Sequence, residues 1–267
     1  MAHGAVAVWQ MAPTIGDLDA NLRRLADTAR TARDRGATIL VAPELCLTGY
    51  DIGPLDDAST APDLVDAVAA IAADTGIALV MGLALREEQE TWNASVIVDR
   101  CGRVRAIYRK THLFGDLDRS RFSPGPGTIP PVDLDGIRVG TVICYDIEFP
   151  EPARLAALAG AHVLAVPTAN MTPWTFINEH VIPVRAFENQ LYVAYANHIG
   201  TEGETTYVGH SVIAAPDGTT VRADALSEDL LIVPIDPADI DHRRARVAPY
   251  LSDRRPALYH ALSEEDR

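Results

Sequence analysis

Apolar residues recur along the chain in two rhythms that alternate. Residues 5–10 form a short apolar run of strand character. Residues 17–35 place Leu18, Leu22, Leu25, Ala26 and Ala29 on one face at helical spacing, with Asp17 set to cap that helix. Residues 38–42 read as a strand and 61–74 as an alanine-rich amphipathic helix. Residues 77–85, 92–99 and 104–108 read as strands, the last two joined by the turn Asp99-Arg100-Cys101-Gly102. The second half repeats the mixture: strands over 137–143, 162–166, 191–197, 207–214, 219–223 and 230–235, and helices over 150–159, 174–189 and 237–246. Asp217-Gly218 signals a turn. Long crossover helices imply parallel strand pairing and hairpins imply antiparallel pairing. Both occur, so the pattern predicts an α/β fold with one mixed sheet or two stacked mixed sheets and helices outside. Residues 111–131 form a long loop rich in proline and glycine around Asp118, and loops of this length tend to be functional.

The chain has 267 residues and is 48% hydrophobic, enough for one large domain; residues after Pro249 turn polar, and 248–267 reads as a C-terminal tail. A formal net charge of -14 disfavours nucleic acid and anionic membranes as partners and suits a cationic small molecule. Cys46, Cys101 and Cys144 are odd in number and widely spaced, which argues against a disulfide framework or a cysteine-rich zinc site. A reducing, cytoplasmic setting is expected. The N-terminus lacks the basic and apolar regions of a signal peptide, and no apolar run reaches membrane-spanning length. His162, His180, His198 and His210 have no metal-ligand spacing, and no phosphate-binding glycine motif is present. No metal and no nucleotide cofactor is therefore expected.

Three segments carry the candidate chemistry. The strand over 137–143 runs into Cys144, and Pro150 soon afterwards is suited to open a helix. A thiol at such a corner is expected to lie near helix N-terminal amides, which favour thiolate over thiol and offer N–H groups to an oxyanion. The alternative is a packed structural cysteine. The strand over 38–42 delivers Glu44, and a carboxylate just past a buried strand is costly unless paired or functional. The alternative there is a turn or capping carboxylate. The strand over 104–108 delivers Lys110, which on its own reads as a solvated charge. Taken together, a carboxylate can act as base, an ammonium can stabilise an oxyanion and a thiol can attack. His112 competes for the base role; two residues from Lys110 in an extended segment, it is expected to be structural or supporting.

The blocks PELCLTGY, YRKTHLFG and GTVICYDIEFPE, in that order, resemble the Glu-Lys-Cys signature of the nitrilase superfamily of carbon–nitrogen hydrolases. The resemblance covers nearly the whole chain. It implies a four-layer αββα sandwich with two mixed sheets, assembled as a homodimer or a higher homo-oligomer. It also implies Cys144 as nucleophile, Glu44 as general base, Lys110 as oxyanion stabiliser and the Tyr145 amide as second oxyanion donor. Where the family often carries a second glutamate, this chain has Asp118, one methylene shorter. The strings KTHLFGDLDRSRFSPG, CYDIEFPE and VPTANMTPW resemble amidases of the 5-aminopentanamidase type, which implies a small ω-amino or guanidino alkanamide as substrate. A cationic tail requires a carboxylate or an aromatic wall. Candidates are Asp146, Glu148, Trp174, Glu202 and Glu204, with Asn170 lining the site. The same machinery would open a nitrile or a carbamoyl amine, and a catalytically silent binding protein on this fold is the reading from another class.

Overall fold

Strict period-two alternation explains how the strands stack into layers. In β1 (Gly4–Gln10), Val6 and Val8 face one way and Ala7 and Trp9 the other, and all four are buried. A strand with two buried faces must be covered on both sides. Ala7 and Trp9 pack with Leu25 and Ala29 of α1 (Leu18–Asp34) and Val68 and Ala72 of α2 (Asp63–Thr75). Val6 and Val8 meet Ile39 and Val41 of β2 (Ile39–Val41), and also Val163 and Ala165 of β8 (Val163–Pro167) in a second sheet. The opposite face of β8, Leu164 and Val166, packs with Ala153 of α4 (Pro150–Leu158) and Ile182 and Ala186 of α5 (Ile182–Asn189). Three apolar cores between four layers make the αββα sandwich that the resemblance implies. The structure is a computed structural model that describes residues 4–55, 60 and 63–262. Residues 61 and 62 of the expected second helix lie outside the described residues.

Each sheet has six strands. The first runs β14-β1-β2-β3-β4-β5, with β3 Ala78–Glu87, β4 Glu90–Val98, β5 Val104–Arg109 and β14 Asp229–Ile235. The second runs β13-β12-β9-β8-β7-β6, with β6 Val132–Leu134, β7 Ile137–Thr141, β9 Tyr192–Ala196, β12 Val212–Ala214 and β13 Thr220–Arg222. In both, three central strands are parallel and the flanking ones antiparallel. A two-stranded ribbon, β10 (Thr201–Glu202) with β11 (Thr205–Thr206), stands apart. Among the described residues no helix is long and apolar enough to cross a membrane.

Several elements differ from the sequence expectation. β6 follows the expected loop over 111–131 and belongs to no expected element, because three residues are too few to show a rhythm. The long loop contains a five-residue helix, α3 (Gly115–Arg119). The strand before Cys144 ends at Thr141; the run to Ile143 stays buried, with the Val142 amide still donating to the Ala165 carbonyl at 3.2 Å and the Ile143 amide turning to Asp146. The strand expected over 207–214 pairs only from Val212, since Val208 to Ser211 bond to loops and to Gln10. The helix expected over 174–189 begins with a wide turn at Ile177–Val181, and that over 237–246 divides into α6 (Pro237–His242) and another wide turn, Arg243–Val247.

Strand direction then assembles one edge. β5 is antiparallel to β4, and β4 to β3, so β5 runs the same way as β2. Both therefore deliver their C-terminal ends, with Glu44 and Lys110, to one edge of the first sheet. β7, β8 and β9 are parallel and deliver theirs to one edge of the second. The two edges coincide: Met11 after β1 bridges His198 after β9, and the Glu44 amide points at the Thr168 carbonyl at 3.4 Å. Inside the sandwich, Ser95 and Thr141 share a buried hydroxyl–hydroxyl bond of 2.7 Å across the sheets.

Glu44 sits directly on the backbone of β3. A Cβ built on Gly82 would lie 2.5 Å from the Glu44 Cα and 2.8 Å from the Leu45 nitrogen. Gly82→Ala is therefore expected to lower stability by about 1–3 kcal/mol, the usual result of overpacking. A urea melt reads this directly, and an unchanged midpoint would show that the Glu44 turn can yield.

Candidate active site

Lys110 lies at the end of β5, fully buried, with its Nζ 2.7 Å from Glu44 Oε1 and 2.7 Å from Asp118 Oδ2. Its backbone is fixed as well, since its amide donates to the Asn93 carbonyl at 2.8 Å and its carbonyl accepts from the Gly125 amide at 2.7 Å. Burial alone would push the ammonium down, but the two carboxylates outweigh it and hold Lys110 well above the usual lysine range. The Tyr50 ring adds a cation–π contact, with Nζ 5.9 Å from its centroid.

Glu44 is equally buried. Burial raises its carboxyl, and the charge of Asp118 raises it further, against Lys110 and the bond that Asn93 Nδ2 donates to Oε1 at 2.6 Å. Oε2 has no partner among the described residues and is the oxygen left for proton transfer. The next residue, Leu45, has φ +51, a left-handed conformation in a residue with a branched side chain.

Cys144 opens a single tight turn, Cys144–Glu148, and has φ +43. A residue held in this sparsely populated region is costly, and such strain concentrates at active sites. The thiol therefore sits six residues before α4 rather than at that helix's N-terminus, which corrects the expected corner. The expected thiolate preference is corrected too. Burial and the Glu44 charge push the thiol well above its usual range, while Lys110 and a bond from the Ala169 amide pull the other way. The resting group is a neutral thiol with a carboxylate nearby, an arrangement in which the proton leaves as the sulfur attacks.

Asp118, on α3, takes a place in the centre of the cluster. Its Oδ2 accepts from Lys110 and from the Phe114 amide at 3.0 Å. Tyr145 follows the nucleophile, half-buried between the rings of Phe114 and Phe149 at 5.2 and 5.1 Å. Beside it opens a cleft of about 530 Å³, lined by Thr111, His112, Leu113, Phe122, Tyr145 and Phe149 among others.

The other candidates separate into different roles. Asp146 is buried and accepts from the Tyr108 hydroxyl, the Thr111 hydroxyl, and the Ile143 and His112 amides at 2.8–3.0 Å. Burial opposes its charge, but these bonds and the His112 side chain hold the carboxyl below the usual range, so it is a brace. His112 bonds to Asp146 at 2.8 Å and stacks on Phe149, a supporting role. Asn170 spends its side chain on Trp174, Asn178 and the Met171 amide, so it braces a loop. Trp174 is about half exposed on the surface. Glu204 is exposed, while Glu202 is buried and bonded within the protein. Glu148 is half-buried, with its carboxyl raised to about 7 by burial, and its charge reaches the Cys144 thiol. Sequence reading missed Asn93, Ala169 and His198. Asn93 left a trace, as a polar residue inside the apolar run of β4; the others act through groups that the sequence pattern does not mark.

This edge of the sandwich, with a partly buried thiol beside a buried base and ammonium, defines a carbon–nitrogen hydrolase. The carbon-nitrogen hydrolase family matches residues 5–245, and the chain belongs to it. Within that family it is a nitrilase-superfamily amidase, an enzyme acting on carbon–nitrogen bonds other than peptide bonds. It is 47% identical to "Hydrolase in pqqF 5'region" of Pseudomonas protegens, covering 97% of this chain and 92% of the relative. It is 34% identical to an (R)-stereoselective amidase of a Pseudomonas species, covering 93% and 90%. An amidase of Nesterenkonia has the same fold, with TM-score 0.86 and 33% identity over 98% and 97% of the two chains. Another structure of that enzyme, at TM-score 0.85, 33% identity and 97% of both chains, carries the acetamide moiety of fluoroacetamide covalently at its active-site cysteine.

Asp118→Asn removes the charge that, besides burial, raises Glu44. Glu44 should then ionise at lower pH, so the acid limb of kcat/KM moves to lower pH. A weaker, less firmly held base should also reduce kcat by about tenfold or more. A pH–rate profile of amide hydrolysis checks both, and an unmoved limb would remove Asp118 from the control of the base.

Proposed function

We propose that the enzyme hydrolyses a small primary amide with a cationic tail, such as an ω-amino or guanidino alkanamide, to a carboxylic acid and ammonia. The observation that carries the chemistry is the buried Glu44–Lys110–Asp118 cluster whose charges act on Cys144. Cys144 Sγ attacks the amide carbon as its proton passes to Glu44 Oε2. The tetrahedral oxyanion is held by Lys110 Nζ and the Tyr145 amide. Glu44 returns the proton to the nitrogen, the C–N bond breaks, and ammonia leaves a thioester. Glu44 then takes a proton from water as its oxygen attacks the thioester, and the C–S bond breaks with the proton returned to sulfur. A buried site strengthens each of these electrostatic contacts and prepays the orientation.

Glu148 supports the cationic tail. No side chain among the described residues hydrogen-bonds its carboxylate. The neighbouring Arg185 guanidinium is spent on the carbonyls of Ile147 and Glu148 and on Glu188. A half-buried carboxyl raised to about 7 is what an absent cationic partner would leave, and a bound ammonium would bring it back down. The aromatic and anionic candidates Trp174 and Glu202 have less support, being exposed and internally bonded respectively.

Ammonia release from a panel of cationic amides, neutral amides, carbamoyl amines and nitriles tests the reading. Cationic amides should turn over best. Their KM should fall as pH rises through about 7, because Glu148 gains its charge there, while the KM of neutral amides stays flat. Glu148→Gln should raise the cationic KM roughly 10- to 100-fold, the loss of one charged hydrogen bond. No ammonia from any amide would end the proposal, and carbon dioxide from a carbamoyl amine or turnover of a nitrile would redirect it.

A homodimer is also proposed, through the outer face of α4 and α5. Leu155, Leu158, Val184 and Phe187 are 50, 46, 52 and 42% exposed there, an apolar patch of the kind that marks an interface. Light scattering should give twice the chain mass, and Phe187→Glu should halve it.

A further inference from the structure

One stretch of chain holds the segment carrying the base at both of its ends. His198 is fully buried, and its Nε2 donates to the Glu44 carbonyl at 2.6 Å. Four residues later, Glu202 Oε2 accepts from the Tyr50 amide at 2.7 Å, the Asp51 amide at 3.0 Å and the Tyr207 hydroxyl at 2.8 Å. The Tyr207 ring lies against His198 at 5.0 Å, which ties the two grips together. Thr205 adds a bond to Asp51 Oδ2 at 2.8 Å. Between the grips, residues 44–51 fold back tightly, with Leu45 at φ +51 and its carbonyl accepting from the Thr48 and Gly49 amides at 3.1 and 2.8 Å. That segment brings two groups to Lys110: the Glu44 carboxylate from its first residue and the Tyr50 ring from its seventh.

We propose that Glu202 and His198 are positioning residues that clamp residues 44–51 so that Glu44 and Tyr50 stay aimed at Lys110. A single oxygen accepting three donors is work for a carboxylate; an amide oxygen at this place would satisfy fewer of them. Burial keeps His198 down, hence neutral, so the proton on Nε2 that bonds the Glu44 carbonyl is a fixed one and the other ring nitrogen is bare. The clamp opposes the strain at Leu45, where a relaxed backbone would swing the carboxylate. Glu202 thus acts through Glu44 and never touches substrate. This rests on the reading of Glu44 as general base.

The test compares Glu202→Ala, Glu202→Gln, His198→Asn and Glu44→Gln by four readouts: kcat, KM for a cationic and a neutral amide, the pH dependence of Cys144 alkylation by iodoacetamide, and the melting temperature. Glu202→Ala and His198→Asn should each lower kcat about 10- to 100-fold with both KM values within about twofold, since a small misplacement of a catalytic group costs that much. Their alkylation should lose the acid limb that Glu44 supplies, as in Glu44→Gln. Glu202→Gln, which keeps one acceptor oxygen but holds fewer of the three donors, should recover only part of the rate, its kcat falling between those of Glu202→Ala and the wild type. Wild-type kcat with only a lower melting temperature in both alanine and asparagine variants would overturn the proposal. So would a raised KM for the cationic amide alone, which would make Glu202 a ligand for the substrate's tail. If Glu44→Gln keeps its kcat, the base reading fails and the clamp falls with it; if Glu44→Gln is inactive while the clamp variants are normal, only the clamp falls.

Discussion

A single ammonium buried between two carboxylates is the constraint on which this active site depends. Lys110 lies 2.7 Å from both Glu44 and Asp118, and none of the three side chains reaches solvent. Moving such charges out of water costs several kcal/mol per ion, and only close, well-oriented partners return it. The cluster can therefore exist only where the fold forces three chain segments to one point. Its electrostatics follow from that enforced proximity: the lysine stays charged, the glutamate is raised toward usefulness as a base, and the thiol is stored protonated.

The sandwich meets the constraint by direction rather than by loop length. β2 and β5 end at the same edge of one sheet, and β7, β8 and β9 end at the facing edge of the other. Glu44, Lys110, Cys144, the Ala169 amide and His198 each follow one of those strands. Rigid strands packed on both faces hold their ends to small tolerances, so left-handed backbone at Leu45 and Cys144 can persist there.

Much of this was legible in the chain itself. Apolar runs in β1, β8 and β9 and period-3.6 faces in α1 and α2 were readable because strands buried on both faces and amphipathic helices leave regular patterns. Glu44, Lys110 and Cys144 were readable because each interrupts an apolar run at its end. β6 and α3 were not, as three and five residues are too few to establish a rhythm. Asn170 and Glu202 looked like lining residues, since sequence position suggested loops near the site; their bonds instead turn inward. A side chain's hydrogen-bond partner can lie 152 residues away, as for Glu202 and Tyr50, and local pattern carries no record of it.

The amino-acid sequence by itself determined the alternation of elements, the mixed α/β class and the three reactive groups, because each depends on local rhythm or on a short motif. Only the tertiary structure decided that Asp118 shares the lysine with Glu44, that burial holds the thiol toward its neutral form, that Glu148 keeps a carboxyl without a side-chain partner among the described residues, and that residues 198–207 bond to the segment of the base. Those properties are energies between groups brought together across two sheets. They depend on distance and on the exclusion of water, and neither quantity exists until the sheets have packed.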